Sequence, residues 1–153
     1  MAEGYELPLL LFAGFRSFID ELHAELAAQG HPDVRPAHGF ALQAVGRDGV
    51  TAGELGRRLG VSKQAAGKTV ERLERLGYVE RADDPDDGRR KLVRLTPRGS
   101  DALARSAVIF GRLRARWVEA LGAQRVDALE ADLRAMAPGG GGLRLDAAGW
   151  FGS

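Results

Sequence analysis

The stretch "SKQAAGKTVERLERLGYVERADDPDDGRRKLVRLTPRG", Ser62 to Gly99, changes periodicity twice within a single run. Its first part sets Ala66, Val70 and Leu73 at steps of four and three, the apolar stripe of a helix. Ser62 is a good N-cap and Gly77 a good terminator, so a helix is expected from Lys63 to about Leu76. "YVERAD" and "KLVRLT" then read as two short strands around an acidic turn. In the second strand Lys91, Val93 and Leu95 face one way, and Leu92, Arg94 and Thr96 the other. Thr96 caps a new helix with Pro97 at its first position.

Just upstream, "TAGELGRRLG" carries Thr51 and Glu54 in capping-box spacing, with Leu55 and Leu59 as a buried face and Gly60 at the stop. Two helices joined by a three-residue turn containing glycine have the spacing of a helix-turn-helix. Further out, Leu7 to Ala28 places Leu11, Phe15, Phe18, Leu22 and Leu26 on one helical stripe. "QGHPDVRP" breaks it, and a shorter helix is expected from Ala37 to about Val45. Downstream, Leu103, Phe110, Leu113, Trp117 and Leu121 mark a long helix. After Gly122, Ala123 to Ala137 form a last helix with Val126, Leu129 and Leu133 inward. "PGGGG", Pro138 to Gly142, reads as a flexible hinge before a tail that carries Trp150 and Phe151.

The chemistry concentrates in the opening stretch. Lys63, Gln64, Gly67 and Lys68 lie opposite the apolar stripe, near the helix N-terminus that a helix-turn-helix presents to the major groove. Lysine suits phosphates or guanine edges, glutamine can pair with adenine, and small Ala65 and Gly67 permit close approach. Ser62 and the helix N-terminus can hold a phosphate. The same pattern also fits an ordinary solvated helix face. Arg89, Arg90 and Lys91 sit at or just past the hairpin tip, and arginine suits a narrow minor groove. Asp87, across Gly88, is placed to orient the Arg89 guanidinium by a charge-assisted hydrogen bond. A solvated charged turn remains the alternative, because "DP" and "DG" are common turn formers.

Taken whole, Ser62 to Gly99 resembles the signature region of the MarR family, the multiple antibiotic resistance regulators. The family's wing pattern is Asp-x-Arg, three variable positions, Leu-x-Leu-Thr and a glycine three residues on. Asp87, Arg89, Val93, Leu95, Thr96 and Gly99 match it, with Val93 in place of leucine. "PAHGFALQAVGRDGVTAGELGRRLGVSKQA" is similar to the family's preceding helices. The resemblance implies a mainly α fold with a small β-hairpin wing, a winged helix-turn-helix with N- and C-terminal dimerisation helices. It implies one domain over residues 1–137, with a DNA-binding lobe at 36–98, dimerisation helices at 5–30 and 97–137, and the hinge and tail at 138–153.

By the same resemblance, Ser62, Lys63, Gln64, Gly67 and Lys68 would contact the major groove, Arg89 the minor groove, and Asp87 would support the wing; Arg90 beside Arg89 is a further DNA-binding candidate. The partners implied are a pseudo-palindromic operator in double-stranded DNA, a second copy of the chain, and a small aromatic or anionic effector. The function implied is a dimeric repressor of neighbouring genes released by that ligand. Candidate ligand residues are Phe12, Phe15, Arg35, His38 and Arg112. Phenylalanines on a stripe and a lone histidine after a proline loop also fit plain packing or capping roles.

Composition agrees without deciding the matter. At 153 residues and 44% hydrophobic content the chain suits one core. Net charge is only +1, but 12 of the 22 Lys/Arg fall between Thr51 and Arg98 against 8 of the 21 Asp/Glu. This local excess is the minimum electrostatic requirement for phosphate binding. No apolar run approaches a membrane span and no signal peptide is evident, so a cytoplasmic location is expected. The absence of cysteine excludes disulfides and thiol-based sensing. His23, His31 and His38 lack zinc spacing, no G-x-S-x-G elbow occurs, and "PGGGG" lacks the context of a P-loop. Asp83, Asp84, Asp86 and Asp87 lack the glutamate that would close a calcium loop. No enzyme, cofactor or metal is expected. The competing reading is a winged helix used as a protein-protein module, which should carry apolar residues where Lys63, Gln64, Lys68 and Arg89 stand.

Overall fold

The computed structural model describes residues 3–137, so the expected hinge and tail at 138–153 lie outside the described residues. Six helices and one hairpin follow in order: α1 (Glu3–Ala28), α2 (Pro36–Val45), α3 (Ala52–Leu59), α4 (Lys63–Arg75), β1 (Val79–Asp83), β2 (Lys91–Leu95), α5 (Pro97–Leu121) and α6 (Ala123–Met136). The mainly helical winged-helix class expected from the sequence is the class observed.

Local chemistry sets the boundaries. The hydroxyls of Thr51, Ser62 and Thr96 accept the amides of Glu54, Ala65 and Gly99, each satisfying one orphan N–H of a first turn. The capping box at Thr51 is only half formed, because the Glu54 carboxylate turns to Arg57 and Arg58 instead. Gly56 is required by the turn: a Cβ there would lie 2.9 Å from the Val61 carbonyl oxygen, whose own amide donates back to Gly56.

The hairpin is antiparallel, with Val79 opposite Leu95 and Asp83 opposite Lys91. Val50 adds a one-residue third strand, exchanging both backbone hydrogen bonds with Val93 at 3.0 and 2.7 Å. A lone residue has no period, so the sequence carried no sign of it.

One core joins the elements. Leu22 and Leu26 of α1, Leu42 and Val45 of α2, Leu55 and Leu59 of α3, and Ala66, Val70 and Leu73 of α4 meet Tyr78, Val79 and Val93. Burying each aliphatic side chain contributes about 1.5–3 kcal/mol. Three stripes differ from expectation. On α5 the buried residues are Ala102, Ile109 and Leu113, so the stripe is rotated and Phe110 and Leu121 are exposed. On α1 only the C-terminal half is covered; Leu11 and Phe15 stand 45% and 36% exposed. Leu133 of α6, expected inward, is 45% exposed. Patterns report amphipathicity, but the length of helix actually covered depends on what packs there. Among the described residues no helix is long and apolar enough to cross a membrane.

Candidate nucleic-acid interface

Helix α4 presents Ser62, Lys63, Gln64 and Lys68 to solvent, with Ala66, Val70 and Leu73 buried behind them. The Ser62 oxygen is occupied by its capping bond to Ala65, 3.1 Å away. At Gly67 an added Cβ would meet nothing within 4 Å, so packing does not require a glycine there. The open space lies on the same face as the exposed cations and leaves the backbone approachable.

Three of the four wing aspartates use their carboxylates within the hairpin. Asp84 Oδ1 accepts the Asp86 amide at 2.9 Å, and Asp87 Oδ1 accepts the Arg89 amide at 3.1 Å. These are Asx turns, in which a carboxylate stands in for a backbone carbonyl. Backbone bonds from Asp87 to Asp84 and from Arg90 to Asp87 complete the tip. Asp83 forms an ion pair with Lys91 across the strands. Asp87 therefore supports Arg89 through its amide and not, as expected, through its guanidinium. The side chains of Arg89 and Arg90 are exposed, and neither forms an ion pair among the described residues.

Between α4 and the wing lies a cleft of about 420 Å³ at the N-terminus of α3. Arg57, Lys63, Arg81, Arg89, Arg90 and Lys91 line it, and no carboxylate does. Arg57 and Arg81 are balanced from outside by Glu54 and Glu74, whereas Lys63, Arg89 and Arg90 form no ion pair among the described residues. Cations around a concave surface reinforce one another's field and favour an anion such as phosphate. Arg57 and Arg81 were missed in the sequence because nothing local brings α3, β1 and the wing tip to one place. Their only signal was the basic excess of this third of the chain.

The expected ligand residues are not brought together. Phe12 lies under the Arg16 guanidinium, 5.8 Å from its ring centroid, and Phe15 stacks on Phe40 at 6.5 Å. His38 Nδ1 accepts the Arg35 amide at 3.3 Å, closing the start of α2. Burial, with lesser help from Arg72 and Arg35, holds the His38 imidazole below its usual range. Arg112 pairs with Glu25. None of the five lines the small open cleft of about 110 Å³ between α1, α2 and α5, bounded by Leu22, His23, Phe40, Gln43, Ser106 and Phe110. There His23 Nδ1 donates to the Ile19 carbonyl at 2.8 Å, and its buried Nε2 has no partner.

A second, apolar groove of about 510 Å³ runs between α1, α5 and α6, lined by Leu7, Leu10, Leu11, Phe15, Trp117 and Leu133 among others. Leu7, Leu10 and Phe12 are 66%, 60% and 50% exposed.

The model of the MarR family matches residues 33–90, which span the helix-turn-helix and the wing tip. Over 44 residues the chain is 48% identical to the HTH-type transcriptional regulator YcgE of Bacillus subtilis, 29% of each protein. Over 86 residues it is 33% identical to the LexA repressor of Deinococcus radiodurans, 55% of this chain and 39% of that protein. The chain thus spans well under two thirds of the length of these curated relatives. Among solved structures it is similar to a MarR mutant of E. coli complexed with operator DNA, at 27% identity and a TM-score of 0.69, covering 87% of this chain and 94% of that one. Streptococcus pneumoniae FabT in complex with DNA shares the fold, at 17% identity and a TM-score of 0.73 over 84% and 91% of the chains. With the helix-turn-helix, the wing and these matches together, residues 33–90 carry the MarR-family match within a winged-helix fold similar to that of E. coli MarR.

Proposed function

We propose that this protein is a homodimeric, sequence-specific DNA-binding regulator that represses neighbouring genes until a small ligand releases it. The observation that carries the reading is the set of cations Lys63, Arg89 and Arg90, with no ion pair among the described residues, around a carboxylate-free cleft, on the face where Gly67 leaves α4 open. In this reading residues 36–98 form the DNA-reading lobe. Helix α4 enters the major groove with Lys63, Gln64 and Lys68 toward the bases, Gly67 permitting close approach, Ser62 at a phosphate, and Arg89 with Arg90 in the adjacent minor groove. The likeness to E. coli MarR complexed with operator DNA supports the same docking.

Residues 5–30 and 97–137 would pair two copies, because the groove between α1, α5 and α6 leaves Leu7, Leu10 and Leu11 in water that a second copy would cover. The two wings and α4 helices then read half-sites about one helical turn apart. The effector would occupy the cleft beside His23, where a bare buried nitrogen calls for a hydrogen-bond donor. The protein-protein alternative lacks support, since the large exposed apolar side chains lie on α1, α5 and α6 and none on α4 or the wing. Selection of bound duplexes from a random pool tests the reading. Enrichment of a pseudo-palindrome is expected, and failure to enrich any site would sink it.

A further inference from the structure

Tyr78 occupies the joint of the DNA-reading lobe. It follows the last turn of α4 and precedes β1; its amide donates to Leu73 and its carbonyl accepts from Thr96. The residue is fully buried, so its hydroxyl is cut off from water. That hydroxyl lies 3.1 Å from His31 Nδ1 and 3.1 Å from the Arg98 guanidinium. His31, in the α1–α2 connection, is only 4% exposed, and its Nε2 lies 2.7 Å from Asp101 of α5. Four side chains from three parts of the fold thus form one line.

The ends of the line fix its direction. Arginine only donates and a carboxylate only accepts. The hydrogen bonds from His31 and then Arg105 hold the Asp101 carboxyl below its usual range, so it stays an acceptor. Burial raises the Tyr78 hydroxyl above its usual range, so it stays a donor. Arg98 therefore donates to Tyr78, Tyr78 to His31 Nδ1, and His31 Nε2–H to Asp101. Along this line every donor meets an acceptor only with His31 neutral. A proton on Nδ1 would turn that nitrogen into a donor and leave the Tyr78 hydroxyl proton without an acceptor. The charged and titratable groups around the ring are Arg98, Asp101 and Arg105 from α5, Asp33 beside Arg98 in the α1–α2 connection, and Tyr78 itself.

We propose that neutral His31 is a positioning residue for DNA reading. Through Tyr78 and Asp101 it locks the joint between α4 and the wing to the long helix α5, and its protonation releases that joint. The proposal rests on the DNA-binding reading above.

The test is fluorescence anisotropy with the duplex enriched from the random pool, at fixed salt, near pH 8 and near pH 5.5, the range in which histidine titrates. Simple charge arguments predict tighter binding in acid, because the protein gains positive charge. The relay predicts the reverse, a loss of several-fold, because the released joint accepts the proton more readily than the locked one. His31→Gln keeps the neutral pattern, with its carbonyl accepting from Tyr78 and its amide donating to Asp101. It should reduce the pH effect to within about twofold. If that variant fails to fold, Tyr78→Phe serves instead, since removing the hydroxyl should also abolish the acid-side loss. Independently of DNA, long-range proton–nitrogen NMR near pH 8 should show His31 as the Nε2–H tautomer. Binding that is unchanged or tighter in acid, an unaltered profile in both variants, or the Nδ1–H tautomer would each overturn the proposal. If no duplex is enriched, the DNA-binding reading fails and takes the positioning role with it, whatever the tautomer.

Discussion

Gly99, in the first turn of α5, packs directly against the carbonyl of Tyr78, with no room for a Cβ between them. Beside it the Thr96 hydroxyl donates to the Gly77 carbonyl at 2.6 Å while accepting the Gly99 amide at 3.1 Å. The threonine and glycine that close the wing pattern thus bolt α5 to the end of α4. We predict that Gly99→Ala costs about 1–3 kcal/mol through overpacking against rigid backbone. Calorimetry should show a lowered Tm; an unchanged Tm would mean that the contact relaxes freely.

At Gly67 the expectation is opposite. Its Cβ would meet open space, so Gly67→Ala should stabilise the fold by about 0.5–1 kcal/mol through helix propensity. The same methyl should weaken DNA binding, because it stands where the backbone would approach the duplex. A variant gaining both stability and affinity would remove Gly67 from the interface.

Arg89 is held at the wing tip by its amide, and its guanidinium forms no ion pair among the described residues. Replacing it with alanine should leave the fold intact and reduce the slope of log affinity against log salt by about one. Anisotropy titrations across a salt series decide this, and an unaltered slope would deny Arg89 a phosphate or minor-groove contact.

Leu10 is 60% exposed at the rim of the apolar groove. A Leu10→Glu change should therefore spare the monomer core but place charges in the proposed interface between copies. Sedimentation equilibrium should show a shift from dimer to monomer with helix content retained by circular dichroism. A variant that stays dimeric would move the interface elsewhere.

His38 gives stability a pH dependence of known sign. Burial depresses its proton affinity in the folded state below the ordinary imidazole value of about 6.5, so the unfolded chain binds the proton more readily. Its contribution is complete above about pH 6.5 and is lost as the pH falls through the depressed folded value. Urea midpoints measured from pH 7.5 downward should decline, and His38→Gln should flatten part of that decline. Identical slopes in both proteins would exclude His38 as a source.

How far each feature could be read depends on how far apart its residues lie in the chain. The caps at Thr51, Ser62 and Thr96 each use an acceptor three residues from its donor, and the Asx turns of the wing span two. Such contacts are written in the order of residues, so the helix-turn-helix and hairpin could be read directly. Even there, local geometry chose between two partners for Asp87, the amide and the guanidinium of Arg89. The buried faces of α1 and α5 could be read only in part, because a stripe shows which side is apolar and not how much of it finds cover.

The sequence alone determined the elements, the family signature and the cations at the helix start and wing tip, since propensity, capping and turn chemistry act within a few residues. Tertiary structure alone decided that Arg57 and Arg81 join Arg89 in one cleft, that Val50 pairs with Val93, and that His31 reaches Asp101, 70 residues away. Those relationships arise when helices and hairpin close on a common core. The side chains they bring together have no periodicity in common that a linear reading could detect.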